Sequence, residues 1–530
     1  MVGQNGGMPG PSKAIEREVK LGAHATFMLP DLAKAAAGGW GGEDGGAGPT
    51  VVALGERSLT ATYWDTGDLR LTRSGLSLRH RTASDGSERG WTVKLPAPGD
   101  GGPALNRSEV AYTGPDREPP GEAATLVLAT VRGAPLEPVA RLVTKRRRSH
   151  VLDAEGRVAL EVADDEVSVM DGRRVAARFR ELEVEVAPGE HDGDDLLPLV
   201  VRCLREAGAG APDPTPKIVR ALGPRALAAP DVEVPEIGRK ATAGEVVRAA
   251  IAAGTRRLVA HDPGVRLGGD DEDVHQARVA TRRLRSDLAT FRPLLDEVWV
   301  AEVRSELGWL ADELGAVRDA DVLLARLRRQ AEQLGKADAL AAATLLRSLD
   351  AERAQARSRA GEALQTPRYT TLLDRLVVAG AAPPLTEAAD QRADEAVPSL
   401  VVRSWRHLAK AVDQVGEDSP DELLHEVRKK AKRCRYACEA VVAVVGRDAK
   451  QMGAAVAGVQ EVLGDLQDAA VAELWLRSHA IGLTGAGAAS RAFSAGLLTG
   501  VQHQAATAAR DDWRSAWKTA SAKKLRTWLP

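Results

Sequence analysis

Aromatic residues are scarce in this chain: phenylalanine, tryptophan and tyrosine together make up 3% of its 530 residues. Leucine, valine and alanine must therefore build the cores, and platforms on which nucleic-acid bases could stack are few. Cysteine is scarcer still. Cys203, Cys434 and Cys438 are too few for a disulfide framework, and the last two lie four apart in a helical pattern, where a bridge is geometrically disfavoured. No Cys/His cluster has the spacing of zinc ligands. No apolar run approaches the ~18 residues of a membrane helix, and the opening MVGQNGGMPGPSK lacks the apolar centre of a leader peptide. An excess of one charge is also missing. Seventy-two Lys and Arg against 74 Asp and Glu leave a formal charge of −2, which excludes a polybasic coat but not basic patches balanced elsewhere. There is no GxxxxGK[ST] phosphate loop and no Ser/His/Asp motif. The expectation is a cytoplasmic, reduced chain with no membrane partner.

What is present is 44% hydrophobic and 28% charged residues, an ordinary globular balance that excludes global disorder. The length exceeds what one core organises, so several domains are expected. The grammar changes along the chain. Residues 14–186 hold short alternating runs such as AIEREVKL, SLTATYWDT, GLSLRHRT and RELEVEV, the period of β-strands. The stretch GWGGEDGGAGP at 39–49 reads as a mobile insertion, and 194–209 and 216–227 read as short closing helices. Residues 242–530 are rich in Ala, Leu and Arg, with apolar positions spaced for helices. The expected divisions are a disordered N-terminus at 1–12, a β domain at 13–222, a linker at 223–241 that includes AAPDVEVPEIGRKA, and a helical domain at 242–530.

The helical half contains a repeat. VHQARVATRRLRSDLATFRPLL, from Val274, answers LHEVRKKAKRCRYACEAVVAVV, from Leu424, at an offset of 150 residues. His275 matches His425, Arg278 matches Arg428 and Arg282 matches Lys432. Arg283 and Arg285 match Arg433 and Arg435. LGAVRDADV and LGDLQDAAV then pair at an offset of 149 residues. A duplicated bundle follows, with repeats at about 242–380 and 390–520 separated by the loop AGAAPPLTEAAD.

In the β half the charges sort by strand face. Glu16, Glu18 and Lys20 share one face, opposite Ile15, Val19 and Leu21. Arg79 and Arg81 oppose Leu76 and Leu78, and Lys94 opposes Val93 and Leu95. Lys145 pairs with Arg147, and Glu181, Glu183 and Glu185 oppose Leu182, Val184 and Val186. A wet sheet face carries mixed decoration, whereas these strands carry acidic or basic sets. A closed barrel with the charged faces inward explains this. Such a lumen must be wet and hold ions. Arginine and lysine suit phosphate oxygens, and carboxylates without Cys or His suit a hard cation such as Mg²⁺ or Mn²⁺. A metal-chelated polyphosphate chain satisfies both sets.

EREVK (Glu16, Glu18, Lys20), followed in order by YWDTGDLRL, LSLRHR, WTVKLP, RSEV, KRRR, ALEVADD and FRELEVEV, resembles the CYTH domains, the triphosphate tunnel metalloenzymes. The resemblance covers residues 13–222 and implies an eight-stranded antiparallel β tunnel of α+β class that hydrolyses triphosphate-containing substrates with Mg²⁺ or Mn²⁺. It implies metal-binding roles for Glu16, Glu18, Asp165, Glu181 and Glu183. Lys20, Arg79, Arg81, Lys94, Lys145, Arg147 and Lys217 would contact phosphate. The catalytic set would be Glu16, Glu18, Lys20, Glu181 and Glu183. Between Asp164 and Asp165, Asp165 is the one expected to face inward.

On the helical side, His275, Arg278, Arg282 and Arg285 fall on one helix face, and His425, Arg428, Lys432 and Arg435 repeat the stripe, flanked by Arg283 and Arg433. A single stripe would be an ordinary solvated face. Its duplication points to a groove for an anionic polymer. VHQARVATRRLR, LGAVRDADVL, LHEVRKKAKRCRYACE and LGDLQDAAV resemble the CHAD, or conserved-histidine α-helical, domain, an all-α duplicated bundle implicated in polyphosphate binding. Asp319 and Asp468 are expected to brace the basic helices. Nucleic acid is disfavoured, because Tyr436 is the only aromatic within either stripe. The expected partners are therefore inorganic triphosphate and polyphosphate. The rival expectations are a non-catalytic polyphosphate binder, and a tunnel enzyme acting on an organic triphosphate, as adenylate cyclase or thiamine triphosphatase.

Overall fold

The structure, a computed structural model, describes residues 12–32, 34, 49–97, 104–189, 193–268, 271–417 and 419–530. The expected N-terminal segment up to residue 11, and the glycine-rich insertion up to residue 48, lie outside the described residues. The chain divides into two compact units, Met1–Asp231 and Val232–Pro530.

In the first unit, β1 (Ser12–Ala23), β2 (Thr50–Asp65), β3 (Ser77–Ala83), β4 (Arg89–Pro96), β5 (Leu105–Tyr112), β6 (Glu137–Leu152), β7 (Val158–Asp171) and β8 (Arg174–Val186) close a barrel. Its order is β1-β5-β4-β3-β2-β6-β7-β8, and every neighbouring pair is antiparallel. The alternation seen in the sequence is used in an inverted sense. Val19, Leu21, Leu182 and Val184 turn outward and are buried there by helix α1 (Gly193–Glu206), which presents Leu196, Leu197, Val200 and Leu204. Each such fully buried leucine contributes about 1.5–3 kcal/mol. The polar residues of the same strands are left facing the lumen.

A shorter helix, α2 (Lys217–Leu222), follows Pro216, a residue suited to the position before a first turn. Its Ile218 packs on Ala61, Tyr63 and Leu142 at one end of the lumen. That packing sets the direction of Lys217, the residue before it.

The second unit is helical: α3 (Ala243–Leu267), α4 (Asp271–Thr290), α5 (Glu297–Ala331), α6 (Lys336–Ala363), α7 (Pro367–Ala381), α8 (Ala393–Asp413), α9 (Asp421–Ala440), α10 (Arg447–Ala480) and α11 (Ala488–Ala520). The first helix starts at a capping box formed by Thr242 and Glu245, which satisfies two otherwise orphaned donors. The sequence repeat lies on α4–α5 and again on α9–α10. The basic motifs occupy α4 and α9. The two LG motifs lie mid-way along α5 and α10. No helix among the described residues is long and apolar enough to cross a membrane.

Candidate active site and anion groove

The barrel register sets the lumen out in rows. Glu18 lies beside Glu185, and Glu185 beside Glu161. One row on, Lys20 lies beside Glu183. Beyond that, Glu181, Asp165, Arg146 and Arg57 follow one another across four strands. These side chains, with Glu16, Tyr63, Arg79, Arg81, Lys94, Glu109 and Arg148, surround a cavity of about 190 Å³. The exception is Glu181, which lies deeper, beneath Lys217.

The deep end is internally neutralised. Lys217 Nζ lies 2.9 Å from Asp165, 2.6 Å from Glu181 and 2.6 Å from Glu183. Arg146 grips Asp165 with two hydrogen bonds, of 2.8 and 2.6 Å, and also reaches Glu183. Burial alone would raise the Glu183 and Asp165 carboxyls. Lys20, Lys217 and Arg146 outweigh it at Glu183, as do Lys217 and Arg146 at Asp165, and both are held below the usual carboxylate range. Asp165, Glu181 and Glu183 have the mutual spacing to hold a metal ion, but an ion there must displace the Lys217 ammonium.

The other end is not neutralised. Glu18 is 1% exposed, with Lys20 at 3.1 Å. Burial, followed by the effects of its charged neighbours, still raises its carboxyl. Glu185 is pushed up to about 8, first by burial and next by Glu16. Glu16 accepts from Lys94 at 2.7 Å. Two carboxyls that hold protons beyond their ordinary range mark a place short of positive charge. Oxygen donors without Cys or His suit a hard divalent cation, so Glu16, Glu18 and Glu185 offer the right donor chemistry, although among the described residues only Asp165, Glu181 and Glu183 already have the spacing of metal ligands.

Across the lumen cations gather on adjacent strands. Arg57 and Arg146 are direct cross-strand neighbours, and Arg79 and Arg81 lie two apart on β3. Burial and then repulsion from Arg79 lower the Arg81 guanidinium, although Glu88 is its partner. Tyr63 is drawn down by Arg79, which overcomes its burial.

Two expected phosphate contacts are corrected here. Lys145 is exposed. Arg147 turns to the outer surface, where it meets Glu56, Asp164 and Glu166. Strand parity is the reason: Leu142 and Thr144 line the lumen, so Arg146 and Arg148 follow them inward. Asp165 faces inward and Asp164 outward to Arg180. The sequence reading also passed over Arg57, Tyr63 and Glu109. Arg57 shares its face with Leu59 and Ala61, so no run of like charge marked it. Glu185, the third member of the Glu181/Glu183/Glu185 alternation, lines the lumen and joins the site.

In the helical unit, α4 and α9 bring His275, Arg278, Arg282, Arg283, Lys432 and Arg435 around a groove of about 1130 Å³. His425, Arg428, Arg285 and Arg433 do not line it. Arg278 pairs with Asp319 at 2.8 Å. Arg283 meets Asp287 and Glu439, and Arg435 meets Glu439 at 2.7 Å. Burial, then crowding by Arg278 and Arg428, lowers the Arg282 guanidinium. Burial and then Arg318 lower His275. At the LG motifs the Arg278 guanidinium lies over Gly315 and that of Arg428 over Gly464, each within van der Waals contact of where a Cβ would stand.

With this geometry in place, comparison with known proteins is direct. The CYTH domain matches residues 43–207 and the CHAD domain residues 249–477. The chain is 32% identical over 468 residues to the uncharacterized protein Rv2226 of Mycobacterium tuberculosis, covering 83% of this chain and 86% of that one. Among solved structures, PptA from Streptomyces chartreusis is 26% identical with a TM-score of 0.44, over 52% of this chain and 100% of that one. The CHAD domain from the plant Ricinus communis is 25% identical with a TM-score of 0.44, over 54% of this chain and 95% of that one.

Proposed function

The chain belongs to the proteins that join a CYTH domain to a CHAD domain, and from that premise we propose that its tunnel hydrolyses inorganic triphosphate or short polyphosphate with Mg²⁺ or Mn²⁺, while its helical unit binds polyphosphate. One observation carries the proposal. Arg57, Arg79, Arg81, Arg146 and Arg148 line the same cavity as Glu16, Glu18, Glu161 and Glu185, with Arg81 crowded by Arg79 and Glu185 pushed up by burial and by Glu16. A metal-chelated phosphate chain suits both sets at once.

Arg57, Arg79, Arg81, Arg146, Arg148 and Lys94 hold the phosphate oxygens and offset charge that develops on the transferred phosphoryl group. Glu16, Glu18 and Glu185 would hold the divalent ion. When bound, such an ion polarises the phosphate and lowers the pKa of water, supplying a nucleophile at neutral pH. Lys20 and Lys217 keep Glu183 ionised and fix the deep end of the lumen. Lys145 and Arg147 take no part.

Size favours an inorganic chain. A cavity of about 190 Å³, stopped by Ile218, is smaller than the ~300–1,000 Å³ of ordinary small-molecule sites. A nucleoside or thiamine moiety would need the plug to withdraw. In the helical unit Arg278, Arg282 and Arg283 of α4, with Lys432 and Arg435 of α9, supply the polyanion site.

The test is phosphate release from tripolyphosphate, ATP, thiamine triphosphate and long-chain polyphosphate, each with Mg²⁺, Mn²⁺ or EDTA. Metal-dependent turnover strongest on tripolyphosphate and lost in Glu18→Gln is the expected result. No turnover with retained polyphosphate binding makes the protein a non-catalytic binder. Turnover strongest on ATP or thiamine triphosphate overturns the assignment of substrate.

A further inference from the structure

The helical groove is not a uniform basic track. At one end stand His275, Arg278, Arg282 and Lys432. Toward the other the lining turns apolar, with Ala249 and Ala253 from α3, Ala440 from α9, Ala443 just beyond it, and Val234 and Ile237 from the segment before α3. Between the two ends lies Tyr436, whose ring has the Arg283 and Arg435 guanidiniums each 5.7 Å from its centre. The apolar end also carries acceptors: Glu236, Glu439 and the side-chain amide of Gln460 line it.

A bare polyphosphate chain uses only the first end. It gains nothing from alanine walls and is repelled by Glu236, whereas Glu439 is paired with Arg283 and Arg435. A ligand that satisfies the whole groove has a polyanionic tail and a flat, weakly polar head whose amino or hydroxyl hydrogens meet carboxylates. Tyrosine rings and guanidinium planes are surfaces on which a base stacks. The volume, about 1130 Å³, leaves room for both parts.

We propose that this groove binds a nucleoside polyphosphate, its phosphates on Arg278, Arg282 and Lys432 and its base against Tyr436 and the alanine wall of α3. This rests on the assignment of the helical unit as a polyphosphate-binding unit and narrows it: the preferred chain is one capped by a nucleoside.

The experiment is displacement of labelled long-chain polyphosphate from the full-length protein in EDTA, by adenosine 5′-tetraphosphate and, separately, by inorganic tetraphosphate. Stacking predicts that the capped chain displaces the label at about tenfold lower concentration. Tyr436→Ala is expected to erase that advantage while long-chain binding remains. Ala253→Leu, at an exposed position of α3, is expected to do the same by filling the place of the base without adding charge or disturbing a core. Equal potency of the two competitors in the unmodified protein overturns the proposal, as does an advantage that survives both substitutions. The polyphosphate assignment fails on a different result: long-chain binding that is absent, or unchanged in Arg282→Gln. Direct titration of the two tetraphosphates into the protein and its Tyr436→Ala variant then still decides whether the cap is recognised.

Discussion

The Lys217 ammonium lies 2.6 Å from the Glu183 carboxylate, although one belongs to a plug helix and the other to the lumen face of β8. This contact makes the deep end of the tunnel neutral before any ligand enters. It leaves the uncompensated carboxylates at the other end, around Glu18 and Glu185.

Removing that cation should therefore cost stability. In Lys217→Met, three buried carboxylates lose a shared partner, and about 3–5 kcal/mol of destabilisation is expected. Because Asp165, Glu181 and Glu183 have metal-binding spacing, Mg²⁺ should restore more stability to the variant than it adds to the unmodified protein. Urea unfolding with and without Mg²⁺ reads both effects. An unchanged midpoint would show that the ammonium does not hold this end.

Glu185 gives a pH dependence with a definite sign. Its folded carboxyl titrates near 8, above the ~4.3 of an unfolded glutamate. Between these values the folded state holds the extra proton. The residue's contribution to stability is thus fully present below about 4.3 and is lost as pH rises toward 8. A divalent ion competes with that proton, so Mg²⁺ binding should strengthen from pH 6 to pH 8 with proton release, and Glu185→Gln should flatten the trend. Calorimetric titration in buffers of different ionisation enthalpy measures the protons released. Equal affinity at both pH values would contradict the assignment.

Strand parity on β6 can be read from activity. Arg146→Gln should lower kcat/KM on tripolyphosphate by about 10²-fold or more, the scale of losing a donor to developing charge. Lys145→Gln and Arg147→Gln, on the outer face, should stay within about twofold, a surface-scale effect of under 0.5 kcal/mol. The reverse order would show that the inward register is wrong.

Two glycines in the helical unit should respond oppositely to alanine. A Cβ on Gly254 would stand 2.6 Å from the Leu284 side chain, a fully buried residue, so Gly254→Ala should destabilise by about 1–3 kcal/mol. Gly361, inside α6, has open space around the added carbon, so Gly361→Ala should stabilise by about 0.5–1 kcal/mol. Thermal unfolding of the two variants distinguishes close packing from simple propensity.

Polyphosphate binding should follow counter-ion release. Arg282→Gln is expected to weaken binding of long chains and to make the dependence on salt shallower, since one neutralised phosphate is lost. Affinity measured at several salt concentrations provides the slope. An unaltered slope would place the polymer elsewhere on the unit.

Periodicity and spacing by themselves determined the strand-rich and helical halves, the inward charges of β1, β3 and β8, and the duplicated stripes of α4 and α9. These features repeat along the chain at the period of the structure that forms, so a linear reading finds them. The resemblance to two families added the eight-strand count of the tunnel and the roles of its charged residues. Tertiary structure decided the rest. Lys145 and Arg146 are one residue apart in a run of cations, and only the pairing of β6 with β2 and β7 shows which faces the lumen. That Lys217 fills Asp165, Glu181 and Glu183, leaving Glu18 and Glu185 as the carboxyls raised above their ordinary range, depends on a plug helix meeting three strands. The apolar end of the helical groove depends on residues from α3, α9 and the segment before α3. Charge balance and cavity shape are properties of side chains brought together from distant positions, and no local pattern records them.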